Sequence, residues 1–416
     1  SINSPFSGLT ECVQIGESET ERSYQFDGKV SWFVCFCSSL ATSVILGCLY
    51  IFGILFPRIL DEFRAGKAKT EFQRENTLIQ LQFCYSLLTL AMVASLAMAF
   101  FTFLCVVAAK LCLRYGSRVV MVCAALTCAL GLLGSAFAPN LYVLYVTYGC
   151  VVGFSNAMAY MAGFHIVPLY FDKHQSLATA IVSVGPGSGV LLMSPVTQAL
   201  LEHLDWRKTL MVLAAINVVP CILACSITRR STKPGLINEE SDSKPIVPSN
   251  KECCSSLRSL DLSLFKDPVF MILSLTMSIA ACGHLMPLVH LVKYAEELGI
   301  PGHRSSWMYF AMGFSSIVCR LLTGLLCNTG RVPLLRIFQC GALFFAATDC
   351  LLPFATNLTL LVLYSVSFGI GEGLYTTPLY CIMTKCYAGM GFGLFISFNV
   401  VPVFVGPVVA GKILAT

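Results

Sequence analysis

Residues 229–264 read RRSTKPGLINEESDSKPIVPSNKECCSSLRSLDLSL, and how this stretch is read decides the fold. It is polar, rich in serine, proline and charge, and longer than any other connection in the chain, so a linker without a packed core is expected. Both flanks are the opposite. Apolar runs cover 30–57, 84–109, 119–137, 141–169, 177–201 and 209–228 before it, and 268–292, 307–327, 332–354, 358–383 and 391–415 after it. Each approaches the ~20 residues that carry a helix across ~30 Å of hydrocarbon. None alternates apolar and polar over ~10 residues, as the strands of a membrane barrel would. The expectation is an all-α polytopic membrane protein with eleven spans.

Composition agrees. Of 416 residues, 56% are apolar and only 12% charged, and the mean hydropathy is +0.77. Soluble domains carry roughly 25% charged residues, so the solvent of this chain is mostly lipid. The 21 cysteines lie mainly in the spans without metal-ligand or disulfide spacing, and there they act as small apolar residues. Cys253-Cys254 in the linker is an acylation candidate on weak grounds. No cleavable signal is visible, so the first span is expected to act as its own insertion signal.

The net charge of +5 matters less than its placement. One set of connections holds Lys110, Arg114 and Arg118; Lys173; Arg229, Arg230, Lys233, Lys244, Lys251 and Arg258; Arg331 and Arg336; and Lys385. Positive residues beside spans mark the cytoplasmic side. The N-terminus and the 2–3, 4–5, 6–7, 8–9 and 10–11 loops are therefore expected inside. The first outer loop breaks the pattern with Arg58, Arg64, Lys67, Lys69 and Arg74.

The expected parts are a cytoplasmic tail (1–29), a six-helix half (30–228), a cytoplasmic linker (229–264) and a second half of five spans (265–416). Two six-helix halves built as repeats are the layout of the major facilitator fold. The chain stops at GPVVAGKILAT, where an eleventh helix would reach the outer face, so a further helix is expected beyond it. Residues 71–91, EFQRENTLIQLQFCYSLLTLA, make the first outer loop and second span longer than that fold needs and read either as an insertion or as a mis-spliced segment.

Three segments carry a resemblance. FDGKVSWFVCF opens the first span with Asp27, Gly28 and Trp32; PLYFDKHQSLATAIVSVGPGSG (168–189) joins spans four and five through Tyr170, Phe171 and Lys173; DLSLFKDPVF (261–270) opens the second half. Together they resemble the monocarboxylate transporter family of the major facilitator superfamily. In the second segment His174 takes the second basic place of the family signature, and Ala180 takes a glycine place. Arg114, Gly116 and Arg118 resemble the superfamily's loop 2–3 motif, with Leu113 where an aspartate is usual. Gly185 and Gly189 sit in a glycine-rich run that would suit close helix packing or flexing.

One arginine stands inside the apolar stretch WMYFAMGFSSIVCRLLTGLLCN (307–328). A lone Arg320 near a helix centre costs ~2.5–3.5 kcal/mol on insertion scales, so it should face the bundle interior and pair. Glu372, in FGIGEGLYTTP, is the expected partner. Counted from Trp307 and Leu358, the two charges fall at nearly the same depth at ~1.5 Å per residue. The resemblance implies that both spans border a central cavity. It also sorts the family's branches. The lysine of the proton-coupled branch is replaced by Tyr50, and its aspartate four residues before the arginine by Ser316. His290 in PLVHLVKYAEEL stands where the thyroid-hormone and aromatic-amino-acid branch has a substrate-contacting histidine. The match leans to that branch.

His284 and His165 have weaker claims to a role, and Asp349 reads as interfacial. There is no P-loop, HExxH, nucleophile elbow or dinucleotide turn. The expectation is therefore no enzyme, no cofactor, no metal and no nucleic-acid partner. What the resemblance implies is a facilitative secondary carrier in the plasma membrane that moves a monocarboxylate-like, aromatic amino acid or related amphipathic solute by alternating access, with the bilayer and a single-span accessory glycoprotein as expected partners. A proton-coupled short monocarboxylate symporter is the alternative within transport. A non-transporting receptor or an inactive fragment is the alternative of another class.

Overall fold

The computed structural model describes residues 27–52, 54–55, 58–59, 76–225, 262–298 and 302–403, with side chains left undescribed at 76–92 and 282–290 and at a few other positions. The 1–26 tail, most of the linker with Cys253-Cys254, the basic 64–74 segment, residues 404–416 and the side chains of His284 and His290 lie outside the described residues.

Among the described residues the chain is helical, without a strand. We number the helices α1 (Lys29–Tyr50), α2 (Asn76–Tyr115), α3 (Ser117–Ala136), α4 (Leu141–Tyr170), α5 (Gln175–His203), α6 (Trp206–Cys225), α7 (Pro268–Glu297), α8 (Gly302–Thr329), α9 (Leu334–Leu351), α10 (Leu358–Cys386) and α11 (Met390–Val403). Nine of them are long and apolar enough over their described residues to cross a membrane; α7 and α11 contribute shorter apolar stretches, Pro268–Ala281 and Met390–Val403.

The 71–91 segment is not simply a longer loop. From Asn76 its backbone is already helical and continues into a single 40-residue α2, about 60 Å long at 1.5 Å per residue. Gly116 alone separates α2 from α3. Its φ of 85° and ψ of 154° lie in a region essentially reserved for glycine, which accounts for a glycine in this tight connection. Arg114 and Arg118 flank it and are exposed, with the Arg114 guanidinium 5.4 Å from the Tyr115 ring centre.

Polar side chains inside apolar helices are largely satisfied by their own helix. Thr42, Ser43, Ser135, Ser365 and Thr376 each donate to the carbonyl four residues earlier, which removes a donor from hydrocarbon without a partner helix. Asn217 breaks α6 between Ile216 and Val218 and donates to Leu213 O (2.9 Å) and to Cys48 Sγ on α1 (3.2 Å). Apolar residues such as Phe33, Phe36, Leu130 and Leu343 are exposed, as expected for a surface that faces lipid. α1 and α4 are the most enclosed helices and α9 the least.

The end of the bundle where α1 begins carries Lys110, Arg114, Arg118, Lys173, Arg331 and Lys385, and is called the basic face below. The segment before the linker (α1–α6) meets the segment after it (α7–α11) mainly where α5 packs on α8 and α10, and α2 on α11. The crossing hydrogen bonds among the described residues gather toward the basic face. Gln175 Nε2 donates to Thr384 O (3.3 Å), the Thr179 and Thr384 hydroxyls meet at 3.2 Å, and Ser397 Oγ donates to Thr102 O at 3.0 Å.

Candidate functional site

The charged pair forms from three side chains on two helices. Arg320 and Ser316 stand one turn apart on α8, and Glu372 projects from α10. Arg320 Nη2 donates to Glu372 Oε1 at 2.7 Å, Ser316 Oγ donates to Glu372 Oε2 at 2.8 Å, and Arg320 Nε donates to Ser316 Oγ at 3.1 Å. The three bonds close a ring, so Ser316 serves both charges at once. Charge-assisted bonds of this length are the strong ones. Arg320 is 7% exposed as a residue, and the Glu372 side chain keeps 18% of its surface. The acid is thus the more accessible member.

Close helix contact holds the ring in place. A Cβ on Gly373 would meet Cys319 Cβ at 2.8 Å, and one on Gly369 would meet Met312 O at 2.3 Å. The glycines beside Glu372 therefore admit neighbouring helices: Gly373 faces α8, and Gly371 faces Phe345 on α9. Cys319 Sγ adds a bond to Ile370 O (3.2 Å). Without side chains at the crossing, the two backbones approach and the charges meet.

Tyr50 ends α1 and joins the same site. It is half-buried, and its electrostatic neighbours are Glu372, Tyr380 and Arg320. Two further tyrosines, not singled out from sequence, complete it. Arg320 interacts with Tyr380 on α10 and Tyr160 on α4, and the Tyr160 and Tyr380 hydroxyls pair with each other. Toward the basic face, Phe164 packs edge-on against Tyr380 at 5.5 Å and at a tilt against Phe392 at 4.8 Å. The charged ring thus lies among tyrosines from both sequence halves, with an aromatic layer on its basic-face side. Tyr380, eight residues after Glu372 on one helix, was reachable from the sequence. Tyr160 sits in an unbroken apolar run and carried no signal.

The signature residues assemble elsewhere, at the basic face. The Asp27 carboxylate accepts the backbone N–H groups of Lys173 (3.1 Å) and His174 (3.2 Å), and its own N–H donates to Tyr170 O (3.2 Å). Trp32 packs edge-on against Phe171 at 4.7 Å. Two motifs about 145 residues apart are therefore one clip tying the start of α1 to the α4–α5 turn. Asp27 adopts φ 60°, a left-handed conformation that aspartate and asparagine tolerate better than most. Asp27→Ala removes both acceptor bonds and leaves a residue ill-suited to that φ. It should destabilise the folded protein by about 2 kcal/mol, with Asp27→Asn closer to wild type, as thermal unfolding in detergent will show.

The remaining candidates have local partners. His165 Nδ1 pairs with Ser117 Oγ at 2.8 Å, away from the ring. Tyr364 donates to Asp349 at 3.4 Å, so this half-buried acid has a protein partner. In the DLSLFKDPVF segment, Asp267 caps α7 through Val269 N–H (3.0 Å) and accepts the Tyr387 hydroxyl. Burial, followed by that carboxylate, holds the Tyr387 phenol well above its ordinary range. Gly185 and Gly189 face α1: added Cβ atoms would lie 3.2 Å from Ser39 O and 2.3 Å from Ser43 O.

Comparison with known proteins follows this geometry. The model of the Major Facilitator Superfamily matches residues 31–407. Monocarboxylate transporter 4 of Mus musculus is 26% identical over 72% of this chain and 64% of its own length. Monocarboxylate transporter 2 of Rattus norvegicus is 27% identical, with the same coverage. The chain thus spans about 64% of the length of these relatives. Monocarboxylate transporter 2 of Homo sapiens is 26% identical over 87% of the chain and 78% of its length. In fold, the chain resembles the crystal structure of the human organic anion transporter MFSD10 (TETRAN), at a TM-score of 0.66 and 13% identity, covering 92% of this chain and 93% of that one.

Proposed function

This chain belongs to the major facilitator superfamily, and from that premise we propose that it is a secondary carrier in which the Arg320–Glu372 pair grips a carboxylate-bearing organic solute during alternating access. The observation that carries the reading is the closed ring of Arg320, Ser316 and Glu372, bordered by Tyr50 and Tyr160 from the other half of the chain. A structural clamp alone would not require partners from both halves. A cargo site between rocking halves does.

Charge balance narrows the cargo. The resting pair is neutral. A zwitterion offers a carboxylate to Arg320 and an ammonium to Glu372, and the loaded site stays neutral. A bare monocarboxylate leaves a net negative charge in a low-dielectric cleft, which is costly unless Glu372 takes up a proton. The same site therefore favours facilitated movement of zwitterions such as aromatic amino acids, whose rings would meet the tyrosines. It admits monocarboxylates only with a proton. The proton-linked reading keeps a place because the relatives reported above are named monocarboxylate transporters. We place the protein in the plasma membrane, with its basic face toward the cytoplasm.

Uptake into proteoliposomes separates the two. Lowering the outer pH from about 7.5 to about 6, which raises the outer proton concentration by roughly thirtyfold, should leave entry of tyrosine or tryptophan nearly unchanged. It should raise entry of lactate severalfold. Amino-acid entry that needs the proton would overturn the zwitterion reading. Binding of either solute without equilibration across the bilayer would overturn transport itself.

A further inference from the structure

One hydrogen bond that crosses between the halves is titratable. His174 precedes α5 on the basic face, and its Nδ1 lies 2.8 Å from Nδ2 of Asn328, near the end of α8. The crossing bonds beside it, among Gln175, Thr179 and Thr384, use amide and hydroxyl groups that do not ionise at ordinary pH. His174 is firmly placed: its backbone N–H donates to Asp27, and its ring lies 6.1 Å from that of Trp32. It is also half-buried, so protons can reach it.

Asn328 holds a matching feature. Its Oδ1 is buried without a hydrogen-bond partner. A neutral imidazole accepts the Asn328 amide N–H at Nδ1, as in this arrangement. A protonated imidazole carries hydrogen on both nitrogens and cannot accept. Half a turn of the amide then brings the partnerless Oδ1 onto Nδ1–H, and a charge-assisted bond replaces a neutral one. Such bonds are roughly twice as strong. The charged groups nearby are Asp27 ahead of α1, Asp172 and Lys173 in the same turn, Lys385 ending α10 beside Cys327, and Arg331 beyond α8.

We propose that His174 and Asn328 form a proton-operated latch, which ties the basic-face ends of the two halves together when His174 is charged and slows opening on that side. The sign follows from the bonding. The stronger tie is present at low pH on that face and is lost as pH rises through the histidine range.

The test uses the full chain in nanodiscs and does not depend on knowing the solute. With Trp206→Phe and Trp307→Phe, Trp32 is the sole tryptophan and reports the adjacent imidazolium as a loss of fluorescence between about pH 8 and about pH 5, where histidines titrate. In parallel, hydrogen exchange of the 174–180 and 322–329 amides is compared between wild type and variants at each pH. At acid pH the wild type should be about fivefold better protected than His174→Gln or Asn328→Ala, and that margin should shrink at alkaline pH, where only the neutral bond remains. His174→Arg, a permanent cation, should stay protected throughout. The latch is overturned if Trp32 shows no transition, or if His174→Gln keeps the wild-type dependence of protection on pH. Failure of every solute to cross would reject transport and leave this result standing.

Discussion

Arg320→Ala should abolish solute uptake while leaving most of the protein folded at the membrane. The same holds for Glu372→Ala. Each deletion strands one charge in a cleft where its partner stood at 2.7 Å, and removing one member of a buried pair costs about 3 kcal/mol or more. Spent on cargo binding, that is a loss above about 100-fold. The glutamate variant should be the more damaging to folding, because it strands the more buried charge: Arg320 loses its carboxylate, whereas in the arginine variant Glu372 keeps Ser316 as a donor. Exchanging the charges, with arginine at 372 and glutamate at 320, restores electrical balance and should recover surface expression. It should not recover transport, because Tyr50, Tyr160 and Tyr380 are arranged around a guanidinium on α8. Surface biotinylation beside initial uptake rates checks both statements. Normal uptake by either alanine variant removes the pair from the mechanism.

That pair was legible before any coordinates because two rules converge on it. A membrane-embedded charge needs a partner, and helical rise converts sequence position into depth. Arg320 and Glu372 are alone in their runs, so one partner choice stood out. Ser316 was also visible, but as the absence of an acid; its part as the hydroxyl that joins both charges depends on rotamers. Tyr160 had no such signal, because a tyrosine among Ala, Met and Phe in 157–164 reads as packing until the α4–α10 neighbourhood is known. Depth arithmetic also says nothing about helices meeting across the halves, and the His174–Asn328 contact lies there. The clip between Asp27 and the α4–α5 turn shows the same limit. Both motifs were recognisable, yet their contact is a bond between a carboxylate and two backbone groups, which no side-chain pattern announces. The longer second span was expected, and its cause is local: 76–91 lacks proline and glycine, so nothing stops α2 from extending through a segment that fold length alone marked as surplus.

The run GPGSG at 185–189 left packing and flexing both open, and a matched pair of substitutions separates them. Gly189 sits where α5 crosses α1. A methyl group there would lie 2.3 Å from Ser43 O and 3.0 Å from the Gly47 nitrogen, both backbone atoms that cannot rotate away. Gly187, two residues earlier on the same helix, has only Ile317 Cγ1 at 3.9 Å, an ordinary contact. If the glycines mainly confer flexibility, alanine at either position should stiffen α5 to a similar degree and slow transport alike. If close approach is what matters, only position 189 responds. Packing is the expected winner, since the α1–α5 seam is also sealed by Ser43 and Ser188 hydroxyls at 2.6 Å and by Ser39 Oγ donating to Ile181 O at 2.7 Å. Forcing the backbones apart breaks these bonds together. Gly189→Ala should then cost about 3 kcal/mol or more, the upper range for overpacking, and Gly189→Val should leave almost no protein at the surface. Gly187→Ala should express and unfold like wild type. Equal thermal stability of the 187 and 189 alanine variants, with uptake slowed in both, would assign the run to flexing instead.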